Sequence, residues 1–181
     1  MKRWAKSIKS QQAFTIIEML VVVVVIGILA AILIVGYGAV QNNARDTSVK
    51  SDLTAFANVV KLKALDDEVV PPGGATSSLI GDSTQLPGIN VKPTGGAYDT
   101  SLNNLFYCSG DIGGTHEFAF AAKSITGKVF SYLSNGGVSE VTGTYVWDYN
   151  GICTKLGFSD PFTWSYGYNP APIYLWFSWA E

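Results

Sequence analysis

"AFTIIEMLVVVVVIGILAAIL", residues 13–33, holds one charged side chain, Glu18, in an otherwise apolar run. From Met19 to Val40 there is neither charge nor proline. As a helix rising about 1.5 Å per residue, this stretch spans about 33 Å, enough to cross a bilayer core. A carboxylate costs about 2.5–3.5 kcal/mol at a bilayer centre on insertion scales, and less near the edge. Glu18 therefore calls for a partner that offsets the cost. Lys2, Arg3, Lys6 and Lys9 precede the run. They hold that end on the cytoplasmic side, so the C-terminal body is expected outside.

Three readings fit a basic leader followed by such a run. A cleavable secretory signal explains the basic residues, and Gly36-Tyr37-Gly38 offers a small-x-small site, but the run exceeds the usual 7–15 residues. A plain single-pass anchor explains the length and leaves Glu18 unexplained. The third reading rests on residue order: a basic leader, the small Ala13, Phe14-Thr15-Ile16-Ile17-Glu18, then an apolar run containing Gly27, Ala30 and Ala31. That order resembles the prepilin N-terminus of the type IV pilins and the related pseudopilins, over roughly residues 9–45.

The resemblance implies a leader, residues 1–13, removed by a prepilin peptidase between Ala13 and Phe14, with N-methylation of the new Phe14 amino group. The family usually has Gly before the cut, where this chain has the equally small Ala13. Many members carry a Pro about twenty residues into the mature helix; here Val35 stands there, with Gly36 and Gly38 just beyond. Glycine costs about 1 kcal/mol relative to alanine inside a helix, so the pair either loosens the helix or allows close helix packing. Cleavage would create an α-amino group that is mostly protonated at neutral pH. It would also leave Glu18 one turn into the helix, where the dipole favours an anion by about 0.3–1 kcal/mol. The resemblance then assigns Glu18 and Thr15 to subunit assembly, the amine of an incoming chain meeting the carboxylate of one already in the fibre. The alternative is a Glu18 that snorkels to the headgroups.

After Arg45, Val49, Leu53, Phe56 and Val60 recur at spacings of 4, 3 and 4, one stripe of an amphipathic helix. The expected division is a leader over 1–13, a long helix over 14–70 whose first part, about 14–40, lies in the membrane or a fibre core, and a head over 71–181. Pro71-Pro72-Gly73-Gly74 ends the helix, and 71–104 reads as a long ordered loop. Strands are expected at Glu117–Lys123, Lys128–Leu133 and Val138–Trp147, punctuated by Thr126-Gly127 and Asn135-Gly136-Gly137. The expected fold is thus α+β: a long helix packed on a small, three- or four-stranded antiparallel meander, pilin-like by the resemblance. The tail 162–181 is dense in aromatics, with Ile173–Trp179 as a last strand and the others a sticky surface, either for contact between subunits in a fibre or for binding to a cell or surface.

Residues 14–181 carry 8 basic and 14 acidic side chains, which argues against nucleic-acid binding by bulk electrostatics. Cys108 and Cys153 are too few for a thiolate zinc site. In an exported body they read as one disulfide, worth about 4 kcal/mol in the chain-entropy model; free buried thiols are the alternative. His116 has Asp111 and Glu117 nearby in sequence, but no nucleophile stands beside it at a recognisable spacing. Asp148, Asn150, Ser159 and Asp160 lack calcium-loop spacing. No catalytic residue, metal or cofactor is expected. The resemblance implies a structural subunit of a type IV pilus, a homo-oligomeric filament serving motility, adhesion or DNA uptake. It would be held in the cytoplasmic membrane among lipid, with its body outside, until the inner-membrane assembly machinery incorporates it into the extracellular fibre. The alternatives are a minor pilin, a type II secretion pseudopilin, or a membrane-anchored exported binding domain or enzyme.

Overall fold

A computed structural model describes residues 14–73, 92–170 and 175–176. The leader with Ala13, segment 74–91 and most of the residues after 170 lie outside the described residues. Helix α1 covers Ile16–Asp67 and is unbroken through Gly36 and Gly38. Its Val21–Val25 run is made of β-branched residues that favour strands in water. In lipid a segment must satisfy its own backbone hydrogen bonds, which favours the helix. The helix stops where Glu68 takes a left-handed conformation, φ 57°, the usual geometry of the residue just past a helix C-terminus.

The chain divides between Gln41 and Asn42 into two units. In the first, every described side chain from Phe14 to Ile34 is exposed in the single chain, and the helix is long and apolar enough to cross a membrane. The second holds a six-stranded antiparallel sheet in the order β4-β3-β2-β1-β5-β6. Its strands are β1 (Asn104–Ile112), β2 (Thr115–Lys123), β3 (Val129–Leu133), β4 (Gly137–Glu140), β5 (Thr163–Asn169) and β6 (Leu175–Trp176), with a short helix α2 (Tyr149–Lys155) before β5. The α+β class and the strands around Phe118–Phe120 and Phe130–Tyr132 agree with the sequence reading.

Three details correct it. The strand expected over Val138–Trp147 is only β4: after Val141, whose N–H still reaches the Val129 carbonyl at 2.8 Å, the chain turns away at Gly143, φ 87°. The sheet is larger than a meander, because β5 extends it beyond β1; β6, paired to β5, falls within the last strand expected at Ile173–Trp179. Strand β1 itself, at the centre, falls just past what reads as a loop. It lacks alternation because Asn104–Gly110 is buried on both faces.

Both faces are covered. On one, Val49, Leu53, Phe56 and Val60 of α1 pack with Tyr107, Phe118, Phe120 and Phe130. On the other, Phe106, Cys108, Ala119 and Ala121 lie with Ile152 and Cys153 of α2, and a Cys108–Cys153 disulfide joins strand to helix. Trp164 of β5 stacks on Tyr149 of α2, ring centroids 3.7 Å apart, so this part of the aromatic tail completes the domain.

Two nearly buried carboxylates of α1 hold the helix to the rest of the domain. Asp46 accepts hydrogen bonds from Ser124 (2.7 Å) and Thr126 (2.6 Å), and Lys128 lies 3.2 Å away. Asp52 accepts from the Thr94 backbone (2.6 Å) and hydroxyl (3.1 Å) and from the Tyr98 hydroxyl (2.9 Å). Burial, then the Asp52 charge and hydrogen bond, push the Tyr98 phenol far above its ordinary range.

Candidate functional site

The start of α1 is built by two side chains that bond each other's backbone. Thr15 precedes the first helical residue, and its hydroxyl oxygen accepts the Glu18 N–H at 3.3 Å. Glu18 reaches back: its Oε2 accepts the Thr15 N–H at 2.8 Å and the Thr15 hydroxyl at 2.9 Å. This is a capping box, in which two donors left over at the helix N-terminus are satisfied reciprocally. Its signal, Thr-x-x-Glu ahead of an apolar run, stands in the sequence, but sequence reasoning weighed Glu18 against lipid, the helix dipole and an external cation, and did not pair it with Thr15. Both bonds land on Oε2; Oε1 takes neither.

Around this turn Phe14 is 77% exposed. Gly27 and Gly38 have open space where a Cβ would lie, so whatever packs there comes from outside the single chain.

The domain holds a second constellation that sequence spacing did not reveal. Asp111 and His116 lie directly opposite each other in the β1–β2 hairpin, and His116 Nδ1 is 3.0 Å from Asp111 Oδ1. The other ring nitrogen, Nε2, lies 3.4 Å from Ser109 Oγ. Serine, imidazole and carboxylate thus stand in the order of a nucleophile, base and orienting group. Ser109 is 1% exposed, however, in a strand paired on both sides, with Phe118 and with Thr163. Acyl transfer needs an open approach to the hydroxyl and free donors for an oxyanion; a central strand provides neither. Among the described residues there is no group of three or more His, Cys, Asp and Glu placed to hold a metal.

Residues 8–34 match the family model described as the prokaryotic N-terminal methylation motif. The chain thus carries a prokaryotic N-terminal methylation motif. Among curated proteins it is similar to the type II secretion system core protein G of Pseudomonas aeruginosa, 33% identical over 101 residues. The alignment takes in 55% of this chain and 63% of that protein, so it runs well past the motif but spans less than two thirds of the relative. No solved structure matches the chain significantly. The motif-bearing helix, with its capped first turn and apolar surface, is suited to anchoring in a membrane.

Proposed function

We propose that the chain is a structural subunit of a type IV pilus, assembled through the apolar half of α1 into a surface filament for motility, adhesion or DNA uptake. The observation that carries this reading is a methylation motif laid over a helix whose apolar surface, from Phe14 to Ile34, is uncovered in the single chain. In this reading a prepilin peptidase cuts between Ala13 and Phe14 and the Phe14 amine is methylated. Lipid covers the helix before assembly, and other copies cover it afterwards. Mass spectrometry of the mature N-terminus tests the first step. A chain beginning at Phe14 with one added methyl is expected; an intact Met1, or a cut after Gly38, overturns the reading.

A second reading, a pseudopilin of a type II secretion system, is favoured by the similarity to core protein G. Surface fibres sheared from cells distinguish the two. Fibres made mainly of this chain support the pilus; their absence, together with loss of secretion on deletion, supports the pseudopilus.

A further inference from the structure

We infer that β4 is a docking edge for a second copy of this chain, which lays its own β6 antiparallel against it and carries the sheet from one head to the next. Among the described residues two strands lack a neighbour on one side, β4 at one end of the sheet and β6 at the other. Which backbone groups β4 leaves free follows from its register. The Val141 N–H donates to the Val129 carbonyl at 2.8 Å, so these two residues belong to the bonded series of the ladder. In an antiparallel ladder bonded and non-bonded pairs alternate, which makes Ser131–Ser139 and Leu133–Gly137 the next bonded pairs. Val138 and Glu140, opposite Tyr132 and Phe130, therefore turn their N–H and C=O groups away from the sheet. These groups are spaced as an incoming strand needs them.

The space beside this edge is open. A groove of about 520 Å³ runs between Val138–Glu140 and the α1 residues Thr47, Lys50, Ser51 and Thr54. An added strand lies about 4.7–4.9 Å from its neighbour, and no aromatic or large aliphatic side chain stands on the helix side of the groove. The Thr47 and Thr54 hydroxyls donate to carbonyls of their own helix, those of Asn43 and Lys50, at 2.8 and 3.0 Å. The Lys50 ammonium is drawn over the Phe130 ring, 4.7 Å from its centroid. This wall therefore does not compete for the free groups of β4. Edge strands are commonly protected by a lysine or a proline; Val138–Glu140 has neither.

Topology selects the partner. Every pairing in the sheet is antiparallel, so the six strands alternate in direction and β4 runs opposite to β6. A copy set beside the first in the same orientation brings its β6 antiparallel to β4, with its faces turned the same way. An odd number of strands would have made that junction parallel. The two edges that meet are different, and such a head-to-tail contact propagates instead of closing into a dimer. The inference rests on the proposed filament, in which copies repeat in one orientation, and names a contact between heads that the apolar helix does not supply.

Proline at the edge separates this contact from the stability of the domain. Glu140→Pro removes an N–H that the sheet does not use, a position where an edge strand tolerates proline. Glu140→Ala removes the charge and keeps the N–H. Sheared fibres are measured against membrane-held subunit in cells, with retention of the Cys108–Cys153 disulfide as the check on folding. Fibre yield is expected to fall several-fold in Glu140→Pro, at normal membrane level, and to be unchanged in Glu140→Ala. In fibres of a chain carrying Glu140→p-benzoylphenylalanine, irradiation is expected to join subunits through the peptide that contains Leu175 and Trp176; this crosslink decides the matter even where the proline variant folds poorly. Normal fibre yield from a folded Glu140→Pro protein, or a crosslink to another part of the chain or to a different protein, overturns the inference and leaves the filament standing. A wild type that makes no fibres overturns the filament reading, and this inference with it.

Discussion

Asn104 is the residue whose loss should be felt most in the domain relative to its size. It is fully buried at the start of β1, where the next residue, Leu105, adopts φ 58°, a conformation uncommon for a non-glycine residue. That kink takes the backbone of β1 out of register with Lys123, and the Asn104 side chain fills the gap as a substitute peptide group. Its amide donates to the Lys123 and Asp99 carbonyls, each at 2.8 Å, and its Oδ1 accepts from the N–H groups of Lys123 (2.9 Å) and Leu105 (2.8 Å). A net hydrogen bond contributes about 0.5–1.5 kcal/mol, and a buried partner left unmatched costs about 1–3 kcal/mol. Asn104→Ala removes four bonds at once without relieving the Leu105 conformation, so a loss of about 3–5 kcal/mol is expected, in the range reserved for special mechanisms. Asn104→Asp keeps the two acceptor roles but sets a carboxylate against two carbonyls, and a comparable loss is expected at neutral pH. Urea unfolding of the full chain in detergent, followed by tryptophan fluorescence, gives both values. A loss below about 1 kcal/mol for Asn104→Ala would refute the reasoning, because the backbone would then be finding its own partners.

Asp46 supplies a pH dependence. Burial alone would raise its pKa, but the hydrogen bonds from Thr126 and Ser124 and the Lys128 ammonium outweigh that and hold it below the ordinary carboxylate range. A lowered folded-state pKa stabilises the domain above the unfolded value of about 3.9, and this contribution is lost as pH falls through the folded value. The stability difference between wild type and Asp46→Asn should therefore be constant above about pH 5 and shrink below about pH 4; a difference independent of pH would count against the assignment. At the other end of α1, Glu18→Gln can still accept the Thr15 bonds but carries no charge. On the proposed function this variant should enter the membrane in normal amount and yield few filaments, measured as sheared fibre against membrane-held subunit. Normal filament yield would mean that the cap, and not the charge, is what assembly needs.

Periodicity made part of this fold legible. The stripe Val49, Leu53, Phe56, Val60 and the alternation of Phe118, Phe120, Phe130 and Tyr132 each announce one buried face, and those residues line the α1 side of the sheet. Strand β1 gave no such signal, because a strand covered by α1 on one side and α2 on the other buries consecutive residues. Val141, Tyr145, Val146 and Trp147 look like strand formers, yet Val141, Tyr145 and Trp147 pack as a lid of side chains on the second core. Trp147 is held there by a bond from its indole N–H to the Asn103 carbonyl at 2.9 Å. Helix α2 is seven residues long, too short for a periodic pattern. Its one local sign is Asp148, which caps it by accepting the Gly151 N–H at 2.6 Å. The Ser109–His116 contact was illegible for a different reason. It depends on which residues face each other across the hairpin, and that register is a property of the folded sheet.

Glu18 illustrates how a structure changes the weight of a sequence argument. In the bare sequence its carboxylate needs a cation from another chain to offset an insertion cost of about 2.5–3.5 kcal/mol at most. The capping box supplies partners within the same chain, and hydrogen bonds to a charged group are stronger than those between neutral groups. Glu18 receives two, from the Thr15 N–H and hydroxyl, and the helix dipole adds to them. On the proposed reading, a subunit waiting in lipid thus carries a charge that already has partners within its own chain. Assembly, on the proposed reading, does not rescue an unstable carboxylate. It recruits one that is already held in place, with Thr15 fixing Oε2 and Oε1 left to meet a positive group on a neighbouring copy. The same argument makes Thr15 more than a bystander: its hydroxyl orients the carboxylate on which subunit addition would depend.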